Sequence, residues 1–336
     1  MRQIAFIGFR HSHILGLYEF VRKSAEFTIT GVCEEDAAAR SALEQAGPVR
    51  FTHNRAAAML DAIDCDLVAV GDYYGQRGAV IIDALRRGKH VVVDKPICTR
   101  LAELREIERL ARQNRLSVFC QLDLRGLGRF RKARELIQAG ALGEIHAVHV
   151  TGQHPLLLAT RPGWYFEEGK HGGTINDIAI HALDFIPWLT GLKFKAVAAA
   201  RTWNAFATPH RQFNDAAQFL LTMNNGAGVF GDVSYFMPDS QGYTLPQYWR
   251  TTLYGQAGIL EIGANLPDVW LARAGEKTPQ IIPALPDQPF YYVDAMLREI
   301  AGETAGLALT TSEVLAASRL ALRVQSAADL NRKIKL

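Results

Sequence analysis

The chain has 336 residues, of which 49% are hydrophobic and 21% are charged, and its formal net charge is +3. This composition is ordinary for a globular protein, and the length predicts about two domains. So small a positive charge, with never more than two basic residues in a row, argues against nucleic acid or a membrane surface as a partner.

Short apolar runs alternate with helical patterns through the first 121 residues. Ile14, Leu17, Tyr18 and Val21 would form one face of the first helix. Strands are predicted at residues 3–8, 27–33, 67–70, 90–93 and 116–121, with a short segment at 49–51. The other helices are predicted at 36–46, 54–60, 78–87 and 101–114. This alternation predicts an α/β fold with a doubly wound parallel sheet.

The turn after the first strand is the usual pyrophosphate site of such a sheet, where Gly-x-Gly-x-x-Gly is expected. It reads Gly-Phe-Arg-His-Ser-His from Gly8, so Arg10 replaces the second glycine and His13 the third. One interpretation is that Arg10, His11 and the helix start at Ser12 bind a diphosphate, with charge in place of close backbone approach. The other is that a dinucleotide binds weakly, in an altered pose, or not at all.

Glu34 directly follows the predicted strand at 27–33. An acidic residue at this place binds the ribose 2′-hydroxyl of NAD and would repel the 2′-phosphate of NADP. The alternative is a role at the start of the next helix, although Glu35 or Asp36 could fill it. We therefore expect NAD in preference to NADP.

The strand at 90–93 ends in Asp94, Lys95 and Pro96. In open α/β sheets, ligands bind beyond the carboxyl ends of the strands. An amine at this position can move a proton or polarise an oxygen, so Lys95 is a candidate catalytic residue. The alternative is an ordinary surface lysine in a strand-to-helix loop.

After residue 121 the alternation stops, and strand-like runs dominate. Helices are predicted at 125–139, 174–189, 291–300 and 311–333. Strands are predicted at 144–151, 194–203, 215–223, 228–235, 251–254 and 259–262, with a hairpin signal at Asn224-Asn225-Gly226. This pattern predicts a mainly antiparallel sheet in a second, α+β domain. The expected domains are residues 1–122 and 123–336, with the last helix packing back on the first domain.

The predicted helix at 174–189 follows two glycines and carries Asp177, His181 and Asp184. Spacings of four and three place the three side chains on one face of an α-helix. A histidine beside a carboxylate is typical of general acid/base catalysis, because the carboxylate fixes its tautomer. The alternative is an ordinary aspartate near a helix start and a histidine of the core.

The four cysteines lie far apart and form no Cys-x-x-Cys pair. Neither a zinc ribbon nor a dithiol redox motif is therefore expected. No signal peptide is recognisable, and no apolar run is long enough to span a bilayer. We therefore expect a cytoplasmic protein.

Two separated motifs resemble those of the Gfo/Idh/MocA family, named for glucose–fructose oxidoreductase and inositol dehydrogenase. Residues 88–96 are similar to Gly-Lys-His-Val…Glu-Lys-Pro, and residues 172–184 to Gly-Gly-x3-Asp-x3-His-x2-Asp. The Leu-Gly-Glu-Ile turn at 142–145, Trp164 and the helical pattern at 311–322 also fit. The resemblance implies an N-terminal Rossmann domain and a C-terminal domain with an open, mainly antiparallel sheet. It also implies a homodimer or homotetramer that assembles through that sheet.

The resemblance further implies an NAD(P)-dependent oxidoreductase that transfers hydride at a hydroxyl-bearing carbon of a sugar, polyol or related small molecule. By motif position, Lys95 would lie beside the nicotinamide and the reacting hydroxyl, with Asp94 and Pro96 in the same cofactor site. Asp177 would hold the substrate, and His181 would be the acid/base. Whether Lys95 or His181 takes the proton stays open, since coupled groups share their titration.

The stretch at 71–77 departs from the Thr-Pro-x-x-x-His segment that lines the nicotinamide pocket in the family. Tyr73 stands at the proline place and Arg77 at the histidine place. With Asp72, these residues would contact the cofactor, and the change affects both its pose and the substrate class.

Analogy with the family adds Arg125, His154 and Trp164 to the residues that would line a substrate pocket. Two other functions stay open: a redox-neutral lyase or glycosidase that retains NAD, and a catalytically silent sensor of a nucleotide or other ligand. A metal site in the second half would lack tight ligand spacing, so no metal is expected. Its candidate ligands are His149, His154, Asp177 and His181.

Overall fold

The computed structural model describes residues 1–47 and 49–330, and a final strand at Ile334–Lys335. The chain divides into two compact units. The first comprises Met1–Gln121, Gly169–Gly172 and Tyr292–Ser318. The second comprises Leu122–Glu168, Gly173–Tyr291 and the chain from Arg319 onward. The boundary at residue 122 and the cofactor and substrate roles of the two domains stay predictions.

A five-stranded parallel sheet with the order β2-β1-β3-β4-β5 forms the centre of the first unit. Its strands are β1 (Arg2–Phe9), β2 (Phe27–Cys33), β3 (Leu67–Gly71), β4 (His90–Val93) and β5 (Val118–Cys120). The connecting helices are α1 (His13–Lys23), α2 (Ala37–Ala46), α3 (Ala56–Ala62), α4 (Tyr74–Arg86) and α5 (Leu101–Asn114). The doubly wound parallel sheet is thus confirmed.

The hydrophobic pattern explains why these elements form. The three valines of β4 are fully buried, as expected for a strand that is covered on both faces. Helix α1 buries the four residues of its predicted stripe.

One predicted detail of this unit is wrong, because α4 begins at Tyr74 rather than at Gly78. The short segment at residues 49–51 is not part of a strand. Gly78 lies inside α4, at a point where α5 packs closely against it. A Cβ on Gly78 would be 2.5 Å from the Glu103 carboxyl carbon.

A mainly antiparallel sheet forms the second unit, with the order β13-β12-β11-β10-β6-β9-β8-β7-β14 in the described chain. Strands β6 and β9 are its parallel pair. The strands are β6 (Ile145–Pro155), β7 (Phe194–Trp203), β8 (Ala216–Met223), β9 (Gly228–Met237), β10 (Arg250–Gly255), β11 (Gly258–Gly263), β12 (Val269–Arg273), β13 (Gln280–Ile282) and β14 (Ile334–Lys335). The predicted α+β fold is confirmed, but β12 and β13 were not predicted. Both are short strands: β13 lies at the edge of the sheet and β12 next to it. β13 is largely exposed, so its pattern carries little signal.

The helices of the second half are α6 (Gly128–Gln138), α7 (Ile180–Thr190), α8 (Tyr291–Ile300) and α9 (Thr311–Asp329). Residues 331–333, predicted to end the last helix, lie outside the described residues. At the start of α9, the Thr311 hydroxyl accepts a hydrogen bond from the backbone amide of Val118 at 3.0 Å, which joins it to β5. None of the helices in the described part of the chain is both long and apolar enough to cross a bilayer.

Candidate functional site

The turn after β1 folds over the end of β3. The backbone amides of Arg10 and His11 donate to the carbonyl of Gly71, at 3.0 and 3.2 Å. Gly8 has a φ of +78°, and a Cβ there would lie 2.6 Å from the amide nitrogen of Asp72. The one glycine of the fingerprint that remains is therefore required by the turn itself.

Glu34 is buried at the end of β2 and closes this turn. Its Oε2 accepts the amide of Phe9 at 2.7 Å, and its Oε1 accepts the amide of Asp36 at 2.9 Å. Asp36 is the N-cap of α2, since its side chain accepts the amide of Ala39. Arg10 extends to Asp36 with an Nη1–Oδ2 distance of 3.1 Å. The capping role thus belongs to Asp36, and Glu34 is not the N-cap.

The residues at this edge of the sheet fit a dinucleotide. Ser12 precedes α1 without a side-chain cap, and the positive end of the helix dipole at such a start favours an anion such as a phosphate. Glu34 accepts two amides, and a carboxylate has about four lone-pair sites. Glu34 can therefore accept a further hydrogen bond from a ribose hydroxyl.

Asp94, directly after β4, is a fully buried carboxylate that contacts three basic side chains. Its oxygens lie 2.9 Å from Arg77 Nη2, 2.5 Å from His11 Nδ1 and 3.2 Å from His13 Nδ1. Burial disfavours its charge, but the Arg77 charge and the hydrogen bond with His11 outweigh this and hold the pKa of Asp94 well below its usual range. Burial also lowers the pKa of His11 to about 4. Near pH 7, Asp94 is therefore ionised and His11 is neutral.

Arg77 is buried beneath the strand end that carries Lys95. Its guanidinium acts as a brace, that is, it holds the backbone there by hydrogen bonds. Its Nη1 donates to the carbonyls of Asp94, Lys95 and Pro96 at 2.7, 2.6 and 3.1 Å. Its Nε donates to the carbonyl of Asp72 at 2.7 Å. Because Arg77 has 0% exposed surface, this geometry argues against the direct cofactor contact that the sequence predicted for it. Its guanidinium instead fixes the backbone of the first motif.

Lys95 is also buried, with its ammonium 5.9 Å from the centre of the Tyr74 ring. The Arg77 guanidinium lies 4.5 Å from the same ring, and the His171 ring lies 5.5 Å from it. The exposed surface lysine considered above is therefore wrong. Sequence reasoning missed Tyr74, because two adjacent tyrosines give no signal of which one is buried.

Tyr73 and Asp72 lie beside this cluster and are only half-buried. The Tyr73 amide donates to Asp72 Oδ1 at 2.7 Å, and the Tyr73 ring lies 5.9 Å from the Arg10 guanidinium and 5.1 Å from the Lys170 ammonium. Burial raises the pKa of Asp72 to about 6. The two residues thus remain candidates for cofactor contact.

In the second unit, the segment with the second motif is not a continuous α-helix as predicted. Ile175–Ala179 forms a π-helical turn, and α7 follows it. The Gln325 side-chain carbonyl accepts the amides of Ile175 and Asn176 at 2.9 and 3.4 Å. A Cβ on Gly173 would lie 2.2 Å from the Gln325 amide carbon, so this approach requires glycine. Such wide turns occur frequently at functional sites.

Asp177 lies in the π-helical turn and accepts a hydrogen bond from the Tyr235 hydroxyl on β9. Burial and the Asp177 charge raise the pKa of Tyr235 well above its usual value, so it stays a donor. The His181 ring lies 5.3 Å from the Trp249 ring. Sequence reasoning missed Tyr235 and Trp249, because both come from distant strand segments that the fold brings to this helix.

Arg125, a predicted substrate residue, is buried and paired with Asp184. The Nε–Oδ2 and Nη2–Oδ1 distances are 2.8 and 2.5 Å. Asp184 thus accepts two hydrogen bonds from Arg125. This pairing indicates a structural role for Arg125 rather than the predicted substrate contact.

The other two predicted substrate residues lie among aromatic rings of the second unit. His154 is half-buried, with ring distances of 5.0 Å to Tyr248 and 5.8 Å to Trp249. Trp164 is buried and lies 4.2 Å from the Tyr165 ring. Only His154 therefore presents substantial surface to a ligand.

The metal site considered for the second half is not formed. His149 lies on the exposed side of β6, 5.1 Å from the Tyr254 ring. In the described residues, no three of the four candidate ligands bring their ligand atoms within 4.8 Å of one another.

The five-stranded parallel sheet with the order β2-β1-β3-β4-β5 is that of a Rossmann-type domain. The chain belongs to the GFO/IDH/MocA family. Residues 2–122 match the family's sequence model described as "Oxidoreductase family, NAD-binding Rossmann fold", and residues 130–261 match its C-terminal domain.

Individual relatives agree with this assignment. An uncharacterized oxidoreductase of Synechocystis is 27% identical over 55% of this chain and 51% of its own length. Inositol 2-dehydrogenase of Corynebacterium glutamicum is 27% identical over 70% of this chain and 66% of its own. A Thermotoga maritima structure assigned as an oxidoreductase superimposes with a TM-score of 0.85 at 25% identity, covering 99% of this chain and 100% of the other. The chain thus spans only about half of the Synechocystis relative.

Proposed function

We propose that this protein is an NAD-dependent dehydrogenase that acts on a CH–OH group of a sugar, polyol or related small molecule. The observation that carries the proposal is the buried Lys95, held at the end of β4 by the Arg77 brace. The similarity to an inositol 2-dehydrogenase supports a polyol-like substrate.

The roles of the protein groups follow from their chemistry. The Lys95 ammonium donates a hydrogen bond to the substrate oxygen as negative charge develops on it. His181 removes the hydroxyl proton, and Asp177, fixed by Tyr235, accepts a hydrogen bond from a substrate hydroxyl. When bound, the nicotinamide supplies the acceptor for the hydride, with Glu34, Ser12 and neighbouring residues holding the dinucleotide.

An assay of NADH formation with a panel of sugars and polyols tests this function. Turnover of at least one CH–OH compound supports it. Tightly retained NAD without net reduction would instead favour the redox-neutral lyase or glycosidase, and nucleotide binding without any turnover would favour the sensor. No observation in the structure favours either alternative.

The protein is expected to bind NADH more tightly than NADPH. The Glu34 carboxylate would accept the ribose 2′-hydroxyl and repel a 2′-phosphate, and a hydrogen bond to a charged group corresponds to about 10- to 100-fold in affinity. Calorimetric titration of both nucleotides measures the ratio of the affinity for NADH to the affinity for NADPH. Glu34→Gln should reduce this ratio, whereas Glu35→Gln, at an exposed neighbouring position, should not. Equal affinity of the wild type for both nucleotides would contradict the proposed role of Glu34.

We propose further that the protein forms a homodimer or homotetramer through the nine-stranded sheet. Cross-strand pairing connects one continuous row of residues on one face of the sheet. Several apolar members are exposed, with fractions of 44% for Leu220, 43% for Phe230 and 71% for Ile281. The row contains Leu220, Phe230, His149, Thr252, Glu261, Trp270 and Ile281. Exposed apolar rows of this kind mark interaction surfaces.

Phe230→Glu is expected to convert the oligomer to a monomer, because a carboxylate in the row would be desolvated on association. Light scattering coupled to size-exclusion chromatography measures the mass against the 37.2 kDa chain. Phe206→Glu, at an exposed phenylalanine outside the row, is the control and should leave the mass unchanged. A wild-type mass of one chain would refute the proposal.

A further inference from the structure

Two histidines of the turn after β1 converge on the buried carboxylate after β4. One ligand atom from each of His11, His13 and Asp94 lies within 4.8 Å of the other two. The Nδ1 atoms of His11 and His13 are 2.5 and 3.2 Å from different oxygens of Asp94. The two imidazole rings are 4.4 Å apart and nearly perpendicular.

The fold brings these side chains together across an intervening strand. In the sheet, β3 lies between β1 and β4, so the turn after β1 must cross the end of β3 to reach Asp94. Gly71, the last residue of β3, permits this crossing, since a Cβ there would lie 2.4 Å from the Ile14 side chain. The carbonyl of Gly71 then accepts both amides of the turn. The turn after β1 and the end of β4 thus place the three side chains together.

The chemistry of this group suits a metal ion. Two imidazole nitrogens and one carboxylate oxygen form a ligand set that transition metals occupy with further positions open. The Asp94 carboxylate is also fixed by Arg77, and bound carboxylates are usually hydrogen-bonded by such outer partners. The His13 side chain is 45% exposed, which gives an ion access from solvent.

The ligand atoms of the group select the kind of ion. Two imidazole nitrogens accompany a single carboxylate. Mg²⁺ and Ca²⁺ prefer several oxygen ligands, whereas Zn²⁺ and Co²⁺ bind imidazole nitrogen well.

We propose that His11, His13 and Asp94 form a binding site for a divalent transition-metal ion. The ion would join the turn after β1 to the end of β4. This site shares the turn after β1 with the proposed dinucleotide site, but its test does not depend on turnover or on a bound nucleotide.

Co²⁺ is a suitable probe, because its visible absorption reports nitrogen and oxygen ligation. Full-length protein is treated with EDTA, dialysed and titrated with Co²⁺, and Zn²⁺ is titrated by calorimetry. We expect one ion per chain. His13→Gln should weaken binding at least about 10-fold, since loss of even an outer partner costs that much, and His11→Gln should do the same. His146→Gln removes an exposed histidine of β6 and should bind as the wild type does.

Thermal unfolding gives a second readout. An ion that binds only the folded state raises the melting temperature. Zn²⁺ should raise the Tm of the wild type and of His146→Gln, but not that of His13→Gln. Because the His13 side chain is partly exposed, the His13→Gln variant should still fold. Absence of saturable Co²⁺ binding to the wild type would overturn the proposal, as would equal affinity of wild type and His13→Gln.

Discussion

Replacing Arg77 with methionine is expected to lower the free energy of unfolding by about 3–5 kcal/mol, as for breaking other buried ion pairs. The change removes the permanent positive charge beside the buried Asp94 carboxylate. It also leaves the carbonyls of Asp72, Asp94, Lys95 and Pro96 without the donor they share. Urea unfolding followed by circular dichroism measures the loss.

The same helix offers a matched control. Arg86 ends α4, is exposed, and forms an ion pair with Glu106 at 3.0 Å on the surface. Arg86→Met should have a much smaller effect, because exposed ion pairs add little to stability. Arg77→Lys should fall between the two, since an ammonium keeps the charge but lacks the planar fork of donors. Equal losses for Arg77→Met and Arg86→Met would show that Arg77 is not a brace.

Lys95→Met and His181→Ala are each expected to lower turnover at least about 100-fold, the order of magnitude for loss of acid/base catalysis. Methionine keeps much of the volume of the buried lysine, so packing changes little. The measurement is kcat and kcat/KM for the substrate that the polyol panel identifies. The pH dependence of kcat/KM should lose one limb in the variant that lacks the essential proton acceptor.

Lys89, at the other end of β4, provides the control. It pairs with Asp64 at 3.4 Å, away from the strand end that carries Lys95. Lys89→Met should retain turnover, and NADH binding by Lys95→Met should show that the variant is folded. Turnover within a few-fold of wild type for both Lys95→Met and His181→Ala would refute the catalytic assignment.

The sequence alone was sufficient to predict the parallel sheet and most elements around it. Valine-rich β4 and the apolar stripe of α1 have local periodicity that the tertiary structure does not override. The two motifs also located the strand end of Lys95 and the segment that carries Asp177 and His181, although not its π-helical turn. These features lie in continuous segments, which a single sequence can reveal.

The contacts of the candidate site could not be predicted in the same way. Arg77 has a position in a motif, but only the fold shows that its guanidinium lies beneath the backbone. Tyr235 reaches Asp177 from a strand 58 residues away. His11 seemed suited to a phosphate, because nothing local indicates that it and His13 turn toward Asp94. Such partners depend on how separate elements pack, which periodicity does not encode.

The side chain at position 77 affects how the loop at the end of β4 responds to mild acid. Family members place a histidine at the equivalent place, and an imidazole gains or loses a proton between pH 5 and 8. A guanidinium keeps its charge and all its donors across that range. The loop that Arg77 holds should therefore keep its shape in weakly acidic surroundings where an imidazole brace would change its protonation. Mild acidification should thus leave the contacts of the Arg77 guanidinium with this loop in place, whereas it should protonate Asp72, whose pKa burial raises to about 6.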